Sequence, residues 1–179
     1  MSGAHKKEPF ITEVNPAGQI PAYVEGDFKL AEGAAILSYL ANDLESWYPT
    51  DAKVRAKVNQ WLHWNHTGTR NCSKEIVFPT VFGGEAKLDS ENIAAALTLL
   101  EKTLSSSKYV ASSEHPTIAD LMILPEIDQI GPEMLNVFDF GPYPNIVRYM
   151  ADLKEALSSS YSENVGDAKA VLEFMQSKK

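Results

Sequence analysis

Between Asn15 and Glu32 the chain sets two prolines and a glycine into one turn and then spells out two short strands. The run Asn15-Pro16-Ala17-Gly18-Gln19-Ile20-Pro21 fixes backbone rather than filling a core. Its prolines lock φ, and Gly18 admits angles that other residues avoid. Ala22-Tyr23-Val24 and Phe28-Lys29-Leu30 flank Glu25-Gly26-Asp27, which predicts a short hairpin. A helix follows at once, with Ile36, Leu37 and Leu40 as its apolar face and Glu32 in its first turn. A carboxylate there complements the helix dipole, and capping alone would account for Glu32. Free backbone N–H groups at the same terminus would equally suit a ligand carboxylate. Two strands and one helix bury too little to be stable alone. A third strand and its covering helix are therefore expected from elsewhere, since strand 22–24 otherwise presents an open edge.

The rest of the chain reads as helical. Residues 45–50 form a linker in which Trp47-Tyr48-Pro49 plugs the junction between a unit at 1–44 and another at 51–179. A long helix starts at Asp51, with Val54, Val58, Trp61, Leu62 and Thr69 as its core stripe. It carries the run Trp61-Leu62-His63-Trp64-Asn65-His66-Thr67-Gly68-Thr69-Arg70. His63 and His66 are three apart, yet no Cys or suitably spaced carboxylate completes a metal site. Core packing and the polar lining of a cleft are the better readings of this run. Val77-Phe78-Pro79-Thr80 through Gly84 is expected to break the helix. The next helix has Ile93, Ala96, Leu97, Leu100 and Leu104 inward. Thr117 at the N-cap with Asp120 three residues on forms a capping box ahead of an all-round apolar run, so Asp120 reads as a folding residue. Tyr143-Pro144 opens a helix with Ile146, Val147, Met150, Leu153 and Leu157 inward. After a break at Ser158-Ser159-Ser160, a last helix carries Ala168, Val171, Leu172 and Met175.

Charge and cysteine content narrow the partners. Sixteen Lys and Arg against twenty-four Asp and Glu give a net charge of -8, which argues against nucleic acid or an anionic membrane as partner. The lone Cys72 allows no internal disulfide and suits a reducing compartment; a structural thiol is favoured over a catalytic one. No apolar run reaches the roughly 18 residues of a membrane-spanning helix. The start lacks the apolar core of a secretory signal, so a cytoplasmic location is expected. His5-Lys6-Lys7 is the only dense basic cluster. It reads either as a solvated terminus or as an anion-binding loop.

Taken in order, Asn-Pro-x-Gly-Gln-Ile-Pro at 15–21, Glu32 after the hairpin, Trp-Tyr-Pro at 47–49, Gln60-Trp61-Leu62-His63-Trp64-Asn65-His66-Thr67 with Arg70, and Pro116-Thr117-Ile118-Ala119-Asp120 resemble a glutathione transferase, most similar to the theta-like branch. The resemblance covers nearly the whole chain. It implies an α+β, mainly α fold: a partial thioredoxin-like N-terminal domain followed by an all-α bundle. It also implies a cytoplasmic detoxification enzyme, usually a homodimer, with glutathione as co-substrate rather than cofactor and a small electrophile as second substrate. Pro21 matches the family's cis-proline, which turns the Ile20 backbone toward glutathione's cysteinyl unit. Glu32 matches the residue that holds the γ-glutamyl ammonium. His5 and Lys6 match the loop at the glycine carboxylate, which favours the anion-binding reading of that cluster, and Gln19 matches the polar neighbour of the cis-proline. Trp64, His66 and Arg70 match the second-substrate side.

Two departures qualify the resemblance. Gly33 stands where the family has Ser or Thr, so only a backbone N–H is left for the glutamyl carboxylate. The family's first strand–helix–strand unit, roughly 30 or more residues, would precede His5 and is expected to be lacking here. With it would go the Ser, Tyr or Cys that activates the glutathione sulfur, so no catalytic residue is assigned. The alternative is a non-catalytic binding or scaffold module like the transferase-like domain of translation elongation factor 1 gamma. A third, blander reading is a stable helical domain carrying an orphaned N-terminal fragment.

Overall fold

A computed structural model describes residues 3–112 and 114–176, with side chains masked at several positions beyond Ser158; the expected inward residues Val171, Leu172 and Met175 lie outside the described side chains. The architecture is α+β and mainly α. After a 3-10 turn at Ala4–Lys6 come α1 (Phe10–Glu13), β1 (Ala22–Glu25), β2 (Phe28–Ala31) and α2 (Gly33–Leu40). The helical part follows: α3 (Ala52–Asn65), a π turn at Cys72–Val77, α4 (Phe78–Phe82), α5 (Glu91–Leu104), α6 (Ile118–Asp128) and α7 (Pro144–Gln176).

The expected hairpin forms with Ala22 opposite Ala31 and Glu25 opposite Phe28. Its two-residue loop starts at Gly26, whose φ of 58° suits the first residue of such a turn. Among the described residues the sheet has these two strands alone. Nothing on α2 is buried, and Leu40, expected to face inward, is 52% exposed. Val24, Phe28 and Tyr39 are also exposed. The apolar faces of this region thus have little protein against them.

The core lies among α3, α5, α6 and α7. All five residues of the expected α5 stripe, Ile93, Ala96, Leu97, Leu100 and Leu104, are buried, and Ser90 caps the helix. On α3, Val58, Trp61 and Leu62 are buried, and so is Thr69 just beyond its end, while Val54 is half-buried. Asp51 caps α3, accepting from the N–H groups of Lys53 and Val54. On α7, Ile146, Met150 and Leu153 face inward as expected, but Val147 is 45% exposed and Tyr149 is buried in its place. Residues 146, 149, 150 and 153 keep the i, i+3, i+4, i+7 stripe that 147 falls off.

Two expected breaks resolve differently. Val77–Phe82 does not interrupt the helical path; it completes the π turn and continues as α4 until Gly83 takes φ 81°. A π turn skips the bond that Pro79, lacking an N–H, is unable to make. At Ser158 the backbone leaves helical angles (φ 42°, ψ -116°), so α7 is two helical segments across a kink at the expected serine break.

The stretch between α2 and α3 is tied down at its expected plug. Arg55 donates to the carbonyls of Tyr48 and Pro49 and lies over the Tyr48 ring, and Ile118 N–H donates to Trp47 O. That last bond joins the plug to the start of the buried helix.

Candidate functional site

The Pro/Gly turn, the start of α2 and the facing ends of α3 and α6 enclose a cleft of about 550 Å³. Asn15 builds one wall. Its Oδ1 accepts from Ala17 N–H, its own carbonyl accepts from Gly18 N–H, and its Nδ2 donates to the Gln19 carbonyl at 2.9 Å. Gly18 then lets the turn seat on the basic loop: a β-carbon there would stand 3.0 Å from the His5 carbonyl oxygen, and its φ of 57° disfavours any side chain. His5 and Lys6 are thereby carried to the cleft. The Ile20–Pro21 bond is cis, and Ile20 is 63% exposed with Gln19 beside it at the mouth.

Glu32 closes this side with an unusual backbone. It is the N-cap of α2 at φ 71° and ψ 117°, a combination that non-glycine residues rarely adopt. Its side chain makes no capping bond, so helix capping does not account for it. Gly33 follows and also lines the cleft; a β-carbon there would meet Pro21 and Met122 at ordinary contact distances of 3.6 and 3.7 Å.

The opposite wall comes from the helical domain. His66 and Arg70 line it, as do Leu121, Met122 and Pro125 of α6. Of the residues singled out from the sequence, His5, Lys6, Gln19, Ile20, Pro21, Glu32, Gly33, His66 and Arg70 meet in this one cleft. Trp64 does not. It turns to the other side of α3, edge-on to Trp61 with ring centres 4.9 Å apart, beside a different hollow with Lys57 and Gln60. Trp64 also packs so closely on Gly68 that a β-carbon there would collide with the indole. The expectation that it lines the second-substrate side is corrected on this geometry.

Two further residues line the cleft: Glu126, which carried no sequence signal of its own, and Asn65, which stands in the run read as the polar lining of a cleft. Glu126 is buried on α6 and pairs with Arg70 at 2.6 Å. Asn65, 1% exposed, accepts from Thr69 Oγ1. The i, i+4 spacing of Asn65 and Thr69 would have revealed their bond, but not the pairing of Arg70 with a residue 56 positions away.

No Ser, Thr, Tyr or Cys is among the described residues lining the cleft. Cys72 is 1% exposed inside the π turn, where burial, reinforced by the charge of Glu126, pushes its thiol up to about 12. At neutral pH it is therefore a thiol rather than a nucleophilic thiolate. Native protein should leave Cys72 unmodified by a thiol reagent near neutral pH and modify it fully once unfolded. Rapid modification of the native protein would contradict this placement.

A second hollow of about 500 Å³ adjoins the cleft, sharing Leu121 and Pro125 and lined further by Leu157, Tyr161, Val165 and Ala168 of α7. Its lining is almost wholly apolar. Tyr161 OH donates to Asp128, and burial together with that carboxylate pushes the phenol well above its ordinary value, so it stays protonated.

The model of the glutathione S-transferase N-terminal domain matches residues 1–42. The chain is 36% identical over 137 residues to glutathione S-transferase T1 of Arabidopsis thaliana, covering 68% of this chain and 56% of that one. It is 34% identical over 142 residues to human glutathione S-transferase theta-1, covering 71% and 58%. It thus spans a little over half the length of these relatives. Among solved structures, a delta-class glutathione transferase from Nilaparvata lugens superposes with a TM-score of 0.82 at 31% identity, covering 97% of this chain and 83% of that one. A human theta-class transferase in complex with the glutathione conjugate of 1-menaphthyl sulfate superposes at 0.79 with 27% identity, covering 98% and 76%.

Proposed function

Because the chain belongs to the glutathione S-transferase family, on its theta-like side, we propose that its cleft binds glutathione and serves conjugation of the glutathione thiol to a small electrophile. The observation that carries this reading is Glu32: a carboxylate on a strained backbone at the cleft wall, not spent on capping its helix. In the proposed pose Glu32 takes the γ-glutamyl ammonium, and the N–H groups at the start of α2, beginning with Gly33, take the neighbouring carboxylate. Ile20, preceding the cis-proline, pairs through its backbone with the cysteinyl unit as a strand would. His5 and Lys6 take the glycine carboxylate, with Gln19 alongside. The electrophile approaches from the His66 and Arg70 side, its apolar body in the adjoining hollow.

Binding and thiol activation are separate tasks. Orientation of the two reactants is a large part of such catalysis, and this cleft is suited to it. In the resemblance a hydroxyl or thiol donor at the sulfur lowers the thiol pKa, and no Ser, Thr, Tyr or Cys lines the cleft among the described residues. The proposal for residues 1–179 is accordingly glutathione binding with slow conjugation, in a cytoplasmic homodimer. Calorimetric titration with glutathione, paired with initial rates on a chlorodinitrobenzene-type electrophile, tests it. Saturable binding with a low rate is expected. Absence of binding would remove the glutathione assignment and favour a scaffold module of the same fold, whereas a rate typical of a full transferase would overturn the assignment of slow conjugation.

A further inference from the structure

Trp64, turned from the cleft, helps to build a hollow of its own. About 430 Å³ of space lies between α3, α5 and the loop at 107–112, and it shares no lining residue with the cleft. Trp61 and Trp64 meet here at 81°, Trp61 in the core and Trp64 half-buried. Gly68 fixes Trp64 from behind. A β-carbon there would stand 2.5 Å from Cε2 and Cζ2 of the indole, so the ring rests directly on the backbone. Leu99 of α5, 44% exposed, faces the same space.

The wall opposite α3 is pinned as well. Arg148 Nη2 donates to the carbonyls of Leu104 and Ser107, and Ser107 Oγ donates to Tyr109 O at 2.8 Å. Tyr109 N–H donates to Ser112 O at 3.1 Å, and Val110 N–H to Asp120 Oδ1 at 3.0 Å. These bonds tie the loop to α6 and α7 before any ligand arrives. A pocket of a few hundred Å³ that is already formed loses little freedom on binding.

Charge selects the ligand. The chain has twenty-four Asp and Glu, yet no carboxylate is among the described residues lining this hollow, and Lys57 is. Lys57, Gln60, Trp61 and Trp64 stand at i, i+3, i+4 and i+7, one stripe of α3. Gln60 Oε1 accepts from Lys57 Nζ at 3.2 Å, which holds the ammonium at the rim of the aromatic wall. An ammonium has three donors, so two are left over from that bond.

We propose that this hollow binds a flat aromatic acid, its ring packed against Trp64 and Leu99 and its carboxylate on Lys57. The ring carries most of the affinity, because an exposed ion pair adds little. The site does not depend on what the cleft binds.

Titration of naphthoate and of its neutral counterpart naphthamide into the isotope-labelled chain, followed by NMR, tests this. The Trp64 indole N–H and the amides of Val110 and Ala111 should shift on one saturable curve, while those of Ile20 and Gly33 hold still. Trp64→Leu should weaken both ligands about tenfold, the loss of one aromatic contact. Lys57→Gln should weaken naphthoate about threefold, the size of one exposed ion pair, and leave naphthamide unchanged. Lys57 is exposed, so this variant decides the matter even where Trp64→Leu does not fold. Saturating S-hexylglutathione, which on the proposed function occupies the cleft, should leave naphthoate affinity unchanged. No saturable shift at millimolar naphthoate, shifts centred on Ile20 and Gly33, displacement by S-hexylglutathione, or an unchanged naphthoate affinity in Lys57→Gln would each overturn the proposal. Loss of glutathione binding alone would remove the cleft assignment and leave this one standing.

Discussion

Replacing Asp120 with alanine is expected to destabilise the protein by about 4 kcal/mol. Asp120 is fully buried and accepts four hydrogen bonds: from Val110 N–H at 3.0 Å, Thr117 N–H at 2.7 Å, Thr117 Oγ1 at 3.0 Å and Tyr149 OH at 3.0 Å. It thus ties the start of α6 to the loop before it and to α7. Alanine keeps the helix but leaves those donors buried and unpaired, each at a cost of about 1–3 kcal/mol that is only partly additive. Burial pushes the Asp120 carboxyl above its ordinary value while the four donors pull it back, and burial also pushes the Tyr149 phenol well up. For a domain of this size the loss corresponds to a fall of roughly 10 °C in the melting temperature. Calorimetry reads it directly; a change of less than about 1 kcal/mol, the ordinary range for a typical single substitution, would mean that the network is not what holds α6, α7 and the 110 loop together.

Glu32→Gly should move stability and binding in opposite directions. At φ 71° the glutamate stores backbone strain of about 1–3 kcal/mol, part of which glycine releases, with some offset from the extra freedom of the unfolded chain. The melting temperature should rise by a few degrees or hold steady. Glutathione affinity should drop about thirtyfold, the loss of a charge-assisted bond worth roughly 2 kcal/mol. Glu32→Ala separates the two effects: it loses the same affinity but keeps the strain, so its stability should not rise. A parallel loss of stability and affinity in Glu32→Gly would mean that the glutamate is structural, and the strain argument would fail.

What the sequence made legible follows from periodicity. The α5 stripe buries as read because 3.6-residue spacing of apolar side chains faces one neighbour throughout. The hairpin and the Thr117–Asp120 capping box are local chemistry and formed where their residues stand. The Pro/Gly turn and the helix start after it were legible as local chemistry, whereas the site roles of His5, Lys6, Gln19, Ile20 and Glu32 came from the resemblance, their own residues leaving capping or a solvated terminus equally open. The helical side was harder. Trp61 belongs to the expected core stripe and packs there, whereas Trp64, matched to the second-substrate side by the resemblance, turns from the cleft. Which side of a helix meets a cleft depends on how α3 crosses α6, and no spacing within α3 encodes that. The pairing of Arg70 with Glu126 has the same origin. The π turn was missed because Pro79 reads as a breaker, whereas a wider turn accommodates its missing donor.

In the proposed pose glutathione lies along the Ile20–Pro21 turn between the His5–Lys6 loop and Glu32. The most direct test is a titration of isotope-labelled protein with glutathione, followed residue by residue by NMR. The amide signals of Lys6, Gln19, Ile20, Glu32 and Gly33 should shift together on one saturable curve, while those buried in α5 hold still. Saturable shifts confined to the apolar hollow beside α7, or no saturable shift at millimolar glutathione, would contradict it.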